Sequence, residues 1–111
     1  MLIDVLGLIV DKVRALRYFK RTAELNSFSL AAKEFDVPAS SISRRIKDLE
    51  GELGVELIKR STRHVSTTEL GSVYYNNIIE VLLKLDEADE LVSQAQGAFE
   101  GKRSEEHTSE L

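Results

Sequence analysis

Apolar positions along this chain follow a helical period at both ends and an alternating one in a short stretch between. From Asp11 to Leu25, Val13, Leu16, Phe19 and Ala23 recur with Lys12, Arg14, Arg17, Lys20 and Arg21 between them. That spacing predicts an amphipathic helix, which Asn26 and Ser27 end. Ser27 or Ser29 then caps a short second helix, Leu30 to Phe35, in which Ala31 and Ala32 let another helix come close. Asp36-Val37-Pro38 interrupts the pattern. Proline is tolerated in the first turn of a helix but not inside it, so a third helix starts here. Its buried face is read as Ile42, Ile46, Leu49 and Leu53, and Gly54 ends it. Val55 to Lys59 and His64 to Thr67 are rich in strand formers and flank the polar run Arg60-Ser61-Thr62-Arg63, which predicts a small hairpin. Thr67 or Thr68 caps a long proline-free helix from Glu69 to about Phe99. Within it Ile78, Leu82, Leu85, Ala88, Val92, Ala95 and Phe99 step by 4, 3, 3, 4, 3 and 4, close to the repeat that keeps a seam facing a partner helix.

Composition narrows the class. With 111 residues there is room for one small domain and an extension, and 42% apolar with 31% charged residues is the balance of a soluble globular protein. Cysteine is absent, which excludes disulfides and thiolate chemistry and fits a cytoplasmic location. The apolar start, Met1 to Val10, is broken by Asp4 and falls far short of the roughly 20 residues needed to span a bilayer. It also lacks the features of a signal peptide, so residues 1–10 read as an extension and no membrane partner is expected. Catalysis needs converging reactive groups, yet the only histidines are His64 and His107, and the acids are scattered. With no metal-ligand spacing and no glycine-rich phosphate loop, the reading is no enzyme, no metal and no cofactor.

Charge changes the picture further. The net value is −4, but Lys12 to Ser66 holds twelve Lys/Arg against seven Asp/Glu, whereas Thr67 onward holds three against ten. A basic half followed by an acidic one is expected when the first meets phosphate. With the apolar face of the third helix turned inward, Ala39, Ser40, Ser41, Ser43, Arg44 and Lys47 point outward near its start. Small residues allow close approach to base edges, hydroxyls donate or accept, and arginine binds guanine or phosphate. Lys59, Arg60, Arg63 and His64 make a second basic cluster on the hairpin, where side chains follow phosphates or reach a minor groove. Double-stranded DNA is therefore the expected partner. The rival reading is a helical interaction module that uses the long seam for a protein and binds no DNA.

Ser27-Phe28-Ser29-Leu30-Ala31-Ala32, Ser43-Arg44-Arg45-Ile46, Leu49-Glu50, Leu53-Gly54, Leu57-Ile58, Arg60, Arg63 and Thr68-Glu69-Leu70-Gly71 stand in an order and spacing that resemble the N-terminal signature of LysR-type transcription regulators. The resemblance covers about residues 11 to 100. It implies a mainly α winged helix-turn-helix at 11–67, with a small β-hairpin wing, and a long C-terminal linker helix at 68–100. It further implies base or backbone contacts from Ala39, Ser40, Ser43 and Arg44, and groove or phosphate contacts from Arg60, Arg63 and His64. The linker helix would pair with a second copy, giving a homodimer through Ile78, Leu82, Leu85, Val92 and Phe99. Three positions depart from the pattern. Pro38 stands where Ser or Thr is usual, so the third helix is expected to borrow Asp36 as a cap or begin differently; Ile58 replaces a common Phe and Thr67 a common Leu. Residues 101–111 include a run resembling a translated sequencing adapter, read as a non-native tail, the alternative being a natural short regulator with an acidic end. Any small-molecule effector would belong to the family's ligand-binding domain, which is expected to be missing here.

Overall fold

The computed structural model describes residues 2–61 and 64–105, with side chains described for 11–61 and 64–97. Helices α1 (Leu2–Leu25), α2 (Phe28–Phe35) and α3 (Ala39–Leu53) precede strands β1 (Ile58–Arg60) and β2 (Val65–Thr67), and helix α4 (Glu69–Glu105) follows. The chain divides into two compact units, Met1–Ile79 and Glu80–Leu111.

In the first unit α1, α2 and α3 pack on one another around Phe19, Ile42 and Ile46, all fully buried, with Leu57 and Ile58 closing the core from the hairpin side. Tyr18 meets Phe35 edge-on at 4.8 Å and Phe19 meets Tyr74 at 5.8 Å, so rings from α1 join it to α2 and to the start of α4. Helix α1 begins at Leu2, nine residues before the expected Asp11. The reason is that residues 2–10 contain no proline and one glycine, so nothing stops the helix from continuing backward.

The junctions are set by local chemistry. Asn26 takes a left-handed conformation after α1, and the Ser27 hydroxyl accepts the Leu30 N–H at 3.0 Å, which makes Ser27 the cap of α2. Asp36 is also left-handed and ends α2, its N–H directed at the Ala32 and Lys33 carbonyls. It is not borrowed by α3, which starts after Pro38 with no side-chain cap. Gly54, at φ 76°, ends α3.

The hairpin starts three residues later than the sequence suggests. Leu57 and Ile58 spend their N–H groups on the Glu50 carboxylate, and the Leu57 carbonyl accepts from Thr68, so ladder pairing begins only at Ile58. Ile58 pairs with Thr67, Lys59 with Ser66 and Arg60 with Val65, antiparallel. Thr68 caps α4, its hydroxyl accepting the Gly71 N–H at 2.8 Å while donating to the Glu56 carbonyl. Those bonds hold the first turns of α4 within the first unit, which runs to Ile79. Among the described residues no helix is long and apolar enough to cross a membrane.

Candidate nucleic-acid interface

Helix α3 buries Ile42, Ile46, Leu49 and, unexpectedly, Glu50. Leu53, expected inside, is 36% exposed because the stripe drifts onto Glu50 before the helix ends. Opposite that stripe Ser40, Arg44 and Lys47 are all exposed. Steps of four and three residues place them on one face. Ser43 is half-buried on one flank, beside the wing, since its carbonyl lies 3.5 Å from Arg60 Nη2. Ser41 is half-buried on the other flank, the side on which Arg45 pairs with Asp11 of α1 at 3.1 Å. Ala39, also half-buried, lines an open cleft with Ser29, Ala32, Lys33 and Pro38 where α2 meets α3. Six expected contact residues thus resolve into an outward stripe of three, two flanking serines and a cleft-lining alanine.

On the wing, His64 is exposed and its backbone closes the turn, its N–H donating to the Ser61 hydroxyl and its carbonyl accepting from Ser61. Lys59 points to solvent. Arg63 lies outside the described residues. Arg60 is not the free cation expected. Alternation along β1 puts it on the side of buried Ile58, and its Nη1 pairs with Glu50 Oε1 at 3.0 Å. Its guanidinium carbon also lies over the Phe28 ring, 5.4 Å from the centroid, a cation–π contact.

Glu50 was missed by the sequence reading. A carboxylate four residues after Ile46 and next to Leu49 lies on an apolar stripe and must find donors, which is the signal that could have revealed it. Burial alone would raise its pKa, but the Leu57 and Ile58 N–H groups and Arg60 outweigh that and hold it below the ordinary 4.5. A second brace joins α1, α2 and α4. Arg21 reaches Glu34 and Glu24 at 2.6 Å each, and the Tyr75 hydroxyl donates to Glu24 at 2.5 Å. Those hydrogen bonds, Glu34 first, push the Arg21 pKa up.

Pairing sorts the cations. Lys12, Lys20, Arg21, Arg45 and Arg60 are matched to carboxylates. Among the described residues Lys33 of α2, Arg44 and Lys47 of α3, and Lys59 of β1 have no side-chain hydrogen bond or ion pair, and neither does Arg14 of α1.

The residues of the seam expected on α4 differ in burial within the single chain. Ile78 is 5% and Leu82 2% exposed in the single chain, so neither offers surface to a second copy. Val81, on the same helix, is 57% exposed. With half-buried Leu85 and exposed Ala88, Val92 and Ala95 it gives steps of 4, 3, 4 and 3. The Phe99 side chain lies outside the described residues.

Three packed helices with a two-stranded wing, the third helix presenting hydroxyls and unpaired cations, define a winged helix-turn-helix. Residues 13–72 match the family described as bacterial regulatory helix-turn-helix protein, lysR family. The chain belongs to that family. It is 43% identical over 93 residues to the uncharacterized HTH-type transcriptional regulator YhjC of Escherichia coli K12, covering 84% of this chain and 31% of that protein. The DNA-binding domain of BenM in complex with catB site 1 DNA superposes with a TM-score of 0.69 at 36% identity, covering 73% of this chain and 90% of that one. The DNA-binding domain of CbnR in complex with DNA gives 0.68 at 30%, covering 75% and 95%. The chain spans about a third of the length of the curated regulators it matches.

Proposed function

We propose that this chain is a sequence-specific DNA-binding regulator of transcription, acting in the cytoplasm as a homodimer. The observation that carries the reading is the sorting of cations: those that brace the fold are paired, while Lys33, Arg44, Lys47 and Lys59 are unpaired on the elements around α3. Arg44, Ser40 and Lys47 would face base edges and phosphates, and Ser43 would lie where α3 borders the wing. Lys59, His64 and Arg63 would follow the adjacent backbone. Regulators that resemble this chain were solved on DNA, which supports the same assignment. The exposed Val81, Leu85, Ala88, Val92 and Ala95 face would meet its copy and set two recognition helices on a two-fold related site.

Duplexes recovered from a random library by the chain itself test this, with affinity measured by fluorescence anisotropy against salt. Lys33, Arg44, Lys47 and Lys59 of both copies alone predict log K falling with log salt at a slope of about −7, or about four orders of magnitude between 50 and 200 mM. The competing reading, a helical interaction module, is favoured by exposed Leu83, Leu91 and Val92 and predicts no DNA complex at any salt.

A further inference from the structure

We propose that Arg60 and Glu50 form a positioning strut that sets the wing against the recognition helix, and that Arg60 does this instead of binding phosphate. The role rests on the DNA-binding reading above.

One carboxylate on α3 gathers three donors from the start of the wing. Glu50 Oε2 accepts the N–H of Leu57 at 2.7 Å and of Ile58 at 3.0 Å, and Oε1 takes Arg60 Nη1 at 3.0 Å. Arg60 then extends the link: Nη2 reaches the Ser43 carbonyl, two turns before Glu50 on α3, and its Cζ lies over the Phe28 ring, 5.4 Å from the centroid, at the start of α2. A single side chain from β1 thereby touches both helices of the helix-turn-helix. Its Nε is buried with no partner among the described residues, and its side chain is 24% exposed, the opposite of a group waiting for a phosphate.

Swinging Arg60 out to DNA would strand the Glu50 carboxylate, 8% exposed, without its counter-charge. Removing one partner of a buried pair is strongly unfavourable, more so than an exposed phosphate contact repays. Because the pair is neutral as a unit, it releases no counterions when DNA binds. Its effect must instead appear as geometry, through the angle at which Lys59 and His64 meet the groove read by α3.

Two conservative variants of the whole chain test this against a selected duplex and a random-sequence duplex of equal length. Arg60→Lys keeps the charge but loses the planar fork that reaches Glu50 and Ser43 together. It should bind the selected duplex at least about tenfold more weakly, a loss equal to one charge-assisted hydrogen bond, with random-duplex affinity and salt slope unchanged. Glu50→Gln should show the same selective loss, with faster hydrogen exchange at the Leu57 and Ile58 amides, which a phosphate role for Arg60 would not move. Wild-type affinity in Arg60→Lys, or equal weakening on both duplexes, overturns the strut. No complex with the unsubstituted chain on either duplex would instead remove the DNA reading, and this role with it.

Discussion

Gly71 lies where helix α4 passes the wing, and adding one methyl there should be costly. A Cβ built on Gly71 would stand 2.0 Å from the Leu57 carbonyl oxygen, 2.9 Å from its carbon and 3.2 Å from its Cα. All three are backbone atoms, so no rotamer change relieves the clash, and the helix must retreat by about 1 Å to reach the closest spacing that real contacts show. That same carbonyl accepts the Thr68 N–H at 3.0 Å, and Thr68 caps the helix through Gly71. Overpacking costs about 1–3 kcal/mol, and loosening the hydrogen bond and the cap about 1 kcal/mol each. Against this stands about 1 kcal/mol of helix propensity gained by replacing glycine with alanine. The net expectation for Gly71→Ala is a loss of about 2–4 kcal/mol, a fall in melting temperature of at least about 10 °C for a unit of this size. All three tyrosines, 18, 74 and 75, lie in the first unit and the chain has no tryptophan, so intrinsic fluorescence in a urea titration reports that unit alone. Gly51→Ala on α3 is the matched control: nothing lies within 4 Å of its added Cβ, so it should gain up to about 1 kcal/mol. Equal stability for the two variants, or a Gly71→Ala protein as stable as wild type, would refute the close-approach argument.

Thr22 is fully buried and its hydroxyl has no partner among the described residues; Thr22→Val should therefore raise stability by about 1–2 kcal/mol in the same titration, and a loss would show that the hydroxyl is satisfied. Glu50 has a folded pKa below its unfolded value, so its contribution is complete above about pH 4.5 and disappears as pH falls through the folded pKa. Unfolding free energy should thus drop more between pH 6 and pH 3 in wild type than in Glu50→Gln, and parallel curves would contradict it. On α4, Leu85→Asp should raise the dimer dissociation constant at least about a hundredfold in sedimentation, whereas Leu83→Asp, off the seam and 60% exposed, should leave it unchanged.

Much of this architecture was legible because helical periodicity and its punctuation are local. Val13, Leu16 and Phe19 mark α1, and Ser27 and Thr68 can be read as caps because the N–H groups they satisfy lie three residues away. What was least legible at the site involves groups whose partners are distant in sequence. Glu50 looked like one more helix-surface acid, yet its donors lie seven to ten residues on, across Gly54. Arg60 was counted with Arg63 as a wing cation, although alternation from Ile58 through exposed Lys59 was enough to turn it inward. Ile78 and Leu82 satisfy a heptad seam on paper. Two apolar stripes share α4, and a period close to 3.5 fits the inward stripe at 78 and 82 as well as the outward one at 81, 85 and 88. Only burial separates them.

For a chain of net charge −4 proposed to bind DNA, the question is which cations count, and salt dependence answers it. If all twelve Lys/Arg between residues 12 and 66 met phosphate, a dimer would show a slope of about −20. The four unpaired cations around α3 predict about −7, because a cation held by a carboxylate neutralises no phosphate and so releases none of the counterions condensed on DNA. The distinction can be made one residue at a time on the same helix. Lys47 is exposed and unpaired, so Lys47→Gln should reduce the slope by about 2 per dimer and weaken selected and random duplexes alike. Arg45 is two residues away but paired with Asp11, so Arg45→Gln should leave the slope within about 0.5 of wild type. If Arg45→Gln lowered the slope as much as Lys47→Gln does, the Asp11 pair would have to open on binding, and the division between bracing and binding cations would fail.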